Sequence, residues 1–266
     1  MVTNAFSALG ASVMRLFFYH GQLAFLFMGV IKGFFIGKVR LRLIGQQLVS
    51  IGFGSQVVVI VTGACTGAVF AAQTYFKFSE LGLGSAVGPV VSLAMCRELG
   101  PVLAGLMVSG RVGAAMAAEI GTMKVTEQTD ALRAMGVHPT DYLVLPRVVG
   151  MFISMPLLVA ECIGFGMLAA HLLAVYGFNV PAAWYDHHVA SHTELQDIGI
   201  GMIKGFIFGG IIVLVSCHQG LTAKNGAVGV GQGTTNAVVI SSLSILVSNF
   251  FLSILLNFFF PLGAGG

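Results

Sequence analysis

Five stretches of this chain, at about 48–74, 86–118, 142–176, 197–218 and 237–260, are apolar over roughly 20 residues or more, enough to carry a helix across a bilayer. A water-soluble fold cannot hide five such segments. Hydrophobic residues make up 56% of the 266 and charged residues only 9%, too little polar surface to cover the core that would result. In lipid every backbone N–H and C=O must be satisfied within the protein, and a helix does this inside its own segment. The chain is therefore read as an all-α polytopic membrane protein. The second and third windows are long enough to tilt or to project into water. Residues 16–31, LFFYHGQLAFLFMGVI, form a shorter window that carries His20 and Gln22, and an interfacial helix lying along the membrane is preferred there over a sixth span. This divides the chain into an N-terminal amphipathic region, 1–45, and a five-span domain, 46–266.

Small residues recur every fourth position within these windows: Gly29, Gly33 and Gly37; Gly63, Gly67 and Ala71; Ser109, Gly113, Ala117 and Gly121; Gly201, Gly205 and Gly209. That spacing keeps each set on one helix face, where it lets another helix approach closely. Cys65, Cys96, Cys162 and Cys217 are dispersed and read as small packing residues rather than a disulfide or metal set. The N-terminus has no clear cleavage pattern and is expected to be retained. A net charge of +3 does not point to nucleic acid. The basic residues report orientation instead: Lys32, Lys38, Arg40 and Arg42 precede the first window, Lys124 and Arg133 follow the second, and Lys224 follows the fourth. The positive-inside rule makes these segments cytoplasmic. The intervening connections, one with Lys77 alone and one with Asp186, Glu194 and Asp197, then face outward, with the N-terminus inside and the C-terminal PLGAGG outside.

One connection is unlike the rest. KVTEQTDALRAMGVHP, residues 124–139, is polar and reads as a short helix at about 126–136. Thr126 suits its N-cap, Glu127 and Asp130 its positive end and Arg133 its negative end, and Gly136 followed by His138-Pro139 stops it. So short a helix is marginal alone. Ala131, Leu132 and Met135 give it an apolar stripe, which either packs on its own bundle or is offered to a cytoplasmic partner.

The residues on either side carry a resemblance. RELGPVLAGLMVSGRVGAAMAAEIGTMKVTEQTDALRAMGVHPTDYLVLPR, residues 97–147, is similar to the signature of MlaE-type permeases, the membrane subunits of ABC systems that move lipid for MCE proteins. The resemblance implies a homodimeric permease in the bacterial cytoplasmic (inner) membrane, serving outer-membrane lipid homeostasis. Its implied partners are a cytoplasmic ABC ATPase, a periplasmic MCE-domain protein and phospholipid. It also implies that the short helix couples to the ATPase, through Glu127, Gln128, Ala131, Leu132, Met135 and Gly136. No catalytic residue is expected in the chain itself. The nearest imitation of a phosphate-binding loop, GLMVSGRV from Gly105, has Arg111-Val112 where Lys-Ser/Thr is needed. No cofactor is expected on this chain, and ATP and Mg belong to the partner ATPase.

Ionisable residues inside spans are costly and mark candidate sites. Arg97 and Glu98 lie about eleven residues, or roughly 16 Å, into the second window, which places them near mid-bilayer. Neighbours on a helix point about 100° apart, so the two do not fully satisfy one another. Lys204, in the fourth window, is a partner for Glu98. Such a pair either fixes packing alone or, as the resemblance implies, lies on the lipid path, with Tyr75, Phe76 and Phe78 at the mouth of the pocket. Arg111 and Glu119, eight residues apart on roughly one face, read as support for the coupling segment. Glu161 and His171 carry no clear role. His188 and His192 have the i, i+4 spacing of metal ligands but no third ligand on a defined element, so with His187 they read as an outer loop and no metal is expected. The alternative function is an ion-coupled secondary transporter using Arg97, Glu98 and Lys204.

Overall fold

A computed structural model describes residues 2–36, 40–80, 82 and 86–260; Gly37, Lys38 and the terminal PLGAGG lie outside the described residues. The elements are α1 (Val2–Ile36), α2 (Leu41–Glu80), α3 (Val87–Val125), α4 (Gln128–Ala134), α5 (Thr140–Gly177), α6 (Ala182–His192), α7 (Leu195–Leu221) and α8 (Gly226–Phe259). Among the described residues there is no strand. Five of these helices, α2, α3, α5, α7 and α8, are long and apolar enough to cross a membrane. The expected all-α, five-span fold is what the chain adopts.

The spans outrun the apolar windows that mark them. α3, with 39 residues, is about 58 Å long at ~1.5 Å per residue, nearly twice a hydrocarbon core of ~30 Å. Polar residues continue a helix as readily as apolar ones wherever it emerges into water, so the hydropathy boundary is not the helix boundary. For the same reason GAVGVGQG, residues 226–233, is helical and opens α8, and the connection 178–194 contains α6.

The glycine faces do what their spacing indicates. A Cβ on Gly67 would fall on the backbone of Gly166 in α5, and one on Gly63 would come within 2.5 Å of the Cys162 carbonyl, so α2 and α5 touch backbone to backbone. Gly205 and Gly209 give the same access to Val159 and Met155 of α5. α5 is accordingly the central helix, and Met151, Met155, Leu158, Val159, Cys162 and Ile163 form the middle of the core.

α1 is longer than its 16–31 window, yet it is not among the five candidate spans. Gly29 and Gly33 approach Thr140, Asp141 and Leu145 at the start of α5. Ten or so residues earlier, Gln22 is 2.9 Å from His218, near the end of α7, and the Tyr19 ring meets the same imidazole edge-on. The start of α5 and the end of α7 lie at one end of the bundle, so α1 runs across that end, as an interfacial helix does. Burial in this contact pushes the Tyr19 phenol above its ordinary pKa.

Gly67→Ala should separate α2 from α5 at a cost of ~1–3 kcal/mol, the usual range for overpacking, and lower the melting temperature in detergent. Gly164→Ala, whose Cβ would meet nothing within 4 Å, should melt like the parent. Equal melting of the two variants would contradict the close α2–α5 contact.

Candidate functional site

The site begins with a proline. Pro101 has no N–H, so the carbonyl four residues earlier, that of Arg97, loses its α-helical donor. Around this defect Met95–Leu99 widens into one π-helical turn, a feature that recurs at functional sites. The ammonium of Lys204, on α7, supplies the missing donor at 2.6 Å and also reaches Ser253 Oγ of α8 at 2.8 Å and Glu98 Oε1 at 3.0 Å. All three of its protons thus have acceptors, although the side chain is only 1% exposed. The other Glu98 oxygen accepts from Asn249 Nδ2 at 2.9 Å and lies 3.0 Å from Ser253 Oγ. Lys204 and Glu98 therefore pair as their positions in the sequence indicate.

Arg97 turns away from Glu98. Its Nε donates to Asp197 Oδ1 at 2.6 Å, and Nη1 to Asn257 Oδ1 and the Phe260 carbonyl, both at 3.2 Å. Asp197 is the third residue of α7 and Phe260 follows the last residue of α8, so Arg97 is level with the start of α7 and the end of α8 rather than with the middle of the spans. The mid-bilayer estimate assumed that spans start at a common level; the long α3 begins beyond the start of α7. Asp197 is held by a second bond, from the Glu194 N–H at 2.8 Å, in a capping box with Glu194. Its spacing, Glu194-x-x-Asp197 just ahead of an apolar window, is legible in the sequence as a cap, but nothing there pairs it with Arg97.

Arg97, Glu98, Lys204, Ser253 and Asn257 line a cavity of about 470 Å³ at the α3–α7–α8 seam, with Leu93, Ile200, Phe250 and Ile254 supplying apolar walls. Glu98, 43% exposed, is the charged group that opens to it most. The chamber is therefore amphipathic, with ionic groups on one side and hydrocarbon on the other. Tyr75, Phe76 and Phe78 do not reach it. Tyr75 stacks on Phe178 of the α5–α6 connection at 4.2 Å, Phe76 meets the same ring edge-on, and Phe78 packs on the cluster of Ala71, Val87 and Val91. Within one chain they belong to the α2–α5 side of the bundle.

At the other end of the spans, the segment expected to couple is α4, seven residues long rather than the eleven of 126–136. Thr126 does not cap its start. The Thr126 hydroxyl donates to Thr122 O and closes α3, while Glu127, at a left-handed φ of 61°, forms the N-terminal boundary of α4. A tight reversal between two helices leaves one residue to take that conformation. Gly136, at φ 75°, ends the helix as expected, and Asp130 bonds both Lys124 and Arg133. Gln128 and Ala131 are exposed, Leu132 is half-buried, and Met135 is 68% exposed. The stripe is not consumed by its own bundle.

Arg111 and Glu119 are not partners. Arg111, in a second π-helical turn at Ser109–Gly113, donates to Ser55 Oγ of α2 at 2.8 Å, and its guanidinium occupies the space a Cβ on Gly54 would need. Glu119 pairs at 2.7 Å with Arg147, a buried residue of α5 that also donates to the Leu143 carbonyl. The π-turns rotate the faces on which an eight-residue spacing would have aligned the two. Glu119–Arg147 joins the two helices that flank α4, so it braces the coupling segment from both sides.

Glu161 accepts from Gln56 at 3.0 Å, and His171 lies 3.1 Å from Asp186. They belong to separate contacts. Burial, and then the charge of Asp186, push the neighbouring Tyr185 phenol up to about 12, so it stays neutral. His188 and His192 face one another with parallel rings 6.4 Å apart and bond to helix carbonyls. Among the described residues no group of three or more His, Cys, Asp or Glu could hold a metal ion.

Five apolar spans around a charged seam define a multi-pass membrane permease. The Permease MlaE family model matches residues 44–255, and the chain belongs to that family. It is 41% identical to a probable ABC transporter permease protein of Rickettsia bellii over 95% of this chain and 98% of that one. It is 38% identical to another of Synechocystis, over 89% and 88% of the two chains. It is 43% identical over 86% of its length to Arabidopsis thaliana protein trigalactosyldiacylglycerol 1, chloroplastic, of which the match covers 64%.

Asp197→Ala would leave the Arg97 guanidinium without its carboxylate in a setting where only 11% of that side chain is exposed. Loss of one partner from a buried pair costs ~3–5 kcal/mol. Glu98→Gln keeps an amide oxygen that can accept from Lys204, whereas Asp197→Ala removes the acceptor altogether, so the Glu98 change should cost less. Melting temperatures in detergent should therefore fall further for Asp197→Ala, and the reverse order would contradict the assignment of Arg97 to Asp197.

Proposed function

We propose that this chain is the permease subunit of an ABC transporter that moves phospholipid, or a similar two-chained lipid, between the cytoplasmic membrane and a periplasmic MCE-type carrier. The observation that carries this reading is the amphipathic cleft. A headgroup needs charged and hydrogen-bonding partners and its chains need apolar walls, and the α3–α7–α8 seam offers both in one cavity of about 470 Å³. That volume is small for a whole two-chained lipid, which supports a chamber completed by a second copy of the chain across the seam. One relative bears the name of a galactosylated diacylglycerol, itself a two-chained lipid.

In this mechanism Glu98, Lys204 and Ser253 meet the polar part of the lipid. Asn249 stands behind Glu98 and holds its carboxylate with a hydrogen bond of 2.9 Å. Arg97, pinned between Asp197 and the end of α8, holds the outer mouth of the cleft and meets a phosphate when that end opens. A separate ATPase binds ATP and Mg and docks on α4 through Leu132, Met135 and the exposed residues beside them. Closure of the ATPase would move α4, and the Glu119–Arg147 brace would carry the motion into α3 and α5. The basic residues Arg40, Lys124, Arg133 and Lys224 at the α4 end support a cytoplasmic placement of that end, with the N-terminus inside and the C-terminus periplasmic. The ABC-type relatives favour ATP over an ion gradient as the energy source.

Met135→Asp should weaken ATPase binding by at least ~2 kcal/mol, the size of an interface hot spot, while the permease still inserts. Copurification of the ATPase and ATP-driven lipid movement in proteoliposomes check this, and retention of both would refute the docking assignment. Glu98→Gln should reduce the lipid detected by native mass spectrometry per folded complex. Normal lipid occupancy with normal transport would refute its place on the lipid path.

A further inference from the structure

A second and larger cavity, about 800 Å³, lies apart from the ionic seam. Its walls are Phe152 of α5, Phe206 to Val215 of α7 and Leu243 to Ser248 of α8, and α1 closes one side with His20, Leu23 and Phe27. Two stripes of α1 have separate tasks. Tyr19, Gln22, Leu26, Val30 and Gly33 face the bundle, whereas His20, Leu23 and Phe27 are left to line the cleft. Gly210 keeps the floor open: a Cβ there would come within 3.1 Å of the Phe152 ring, which stacks on Phe206 at 4.3 Å.

The dimensions match one leaflet. From Phe206 to Val215 is nine residues, about 14 Å of helix, close to half of a ~30 Å hydrocarbon core. The volume lies within the ~300–1,000 Å³ of small-molecule sites. Charge identifies the occupant. α1 itself carries Arg15 and Lys32 and no acidic residue, and Arg40 and Arg42 open α2 at the same end, where Arg40 lies over the Tyr142 ring at the start of α5. A basic interfacial helix attracts anionic lipid. Phe17, Phe18 and Phe25 of α1 are exposed, the surface of a helix embedded at the headgroup boundary.

We propose that this cleft is a binding site for an anionic phospholipid of the leaflet at the α4 end of the bundle, with an acyl chain between α5, α7 and α8 and the phosphate at α1 beside His20. The site is distinct from the Glu98–Lys204 chamber, shares no lining residue with it, and does not depend on transport.

The test uses the full-length chain, in its complex, in phosphatidylcholine nanodiscs doped with a phosphatidylglycerol that carries a photoreactive diazirine on one acyl chain. Crosslinks are mapped by peptide mass spectrometry. Labelling at Leu214, Leu243 and Val247 should exceed that at Leu157, an exposed α5 residue outside the cleft. It should be competed by unlabelled phosphatidylglycerol better than by phosphatidylcholine. Ser244→Trp, or Ile211→Trp from the opposite wall, should lower cleft labelling roughly tenfold, equivalent to ~1.4 kcal/mol, without lowering the melting temperature. Two such variants guard against one that misfolds. Cleft labelling no greater than at Leu157, equal competition by both lipids, indifference to both Trp variants, or crosslinks to a second copy of the chain in place of lipid would each overturn the proposal. Failure of ATP-driven transport in the same preparation bears on the permease reading alone, since labelling requires no ATP.

Discussion

Burial of the Lys204 ammonium is the constraint around which the rest of the candidate site is arranged. An unpaired ammonium in hydrocarbon costs several kcal/mol, so each of its three protons must find an acceptor, and each acceptor comes from a different source. The Arg97 carbonyl is available because Pro101 cannot donate to it. Ser253 is available because α8 crosses the seam at that height, and Glu98 because the π-turn aims it at α7 while its neighbour Arg97 is aimed at Asp197. Remove the helix irregularity and the carbonyl returns to its own helix, leaving Lys204 one acceptor short. The defect in α3 and the charge in α7 therefore stabilise one another.

The same logic recurs at the opposite end. A π-helical turn at Thr140–Val144 precedes Pro146, and Arg147, next to that proline, spends one guanidinium nitrogen on the Leu143 carbonyl and another on Glu119. Ion pairs inside or at the edge of the spans thus sit beside irregular backbone, and at both sites the cation also bonds a main-chain carbonyl. Surface ion pairs such as Lys77–Glu80 have no such company and contribute little. The contrast separates the charges that organise the bundle from those that only keep its ends in water.

Between these two ionic layers large apolar side chains such as Met151, Met155 and Leu158 fill the core, and the polar groups there are a few buried serines and the Arg111–Ser55 and Gln56–Glu161 bonds. α2 and α5 touch through glycines, backbone against backbone. The seams lined by α7 and α8 are looser, and both cavities lie there.

What the sequence determined by itself follows from solvent and period. Hydropathy over windows the length of a bilayer settled the helical, five-span fold, because a continuous apolar run of ~20 residues satisfies its backbone in lipid as a helix, whereas a barrel strand is about half as long and alternates apolar with polar. Four-residue spacing of small residues marked the faces that pack, and charge placed Glu98 opposite Lys204. Tertiary structure decided everything that depends on how helices are offset along their axes. Arg97, expected near mid-bilayer, lies at the start of α7 and the end of α8, and Asp197, an outer-loop carboxylate by its sequence, is its partner. Arg111 and Glu119 were sent to different helices, and Tyr75, Phe76 and Phe78 to the far side of the bundle. Axial offset and the extra residue of a π-turn leave hydropathy unchanged, so no one-dimensional pattern records them. Pro101, four residues after Arg97, is the one local sign of the defect that sets the site, and its consequence exists only once α7 supplies the lysine.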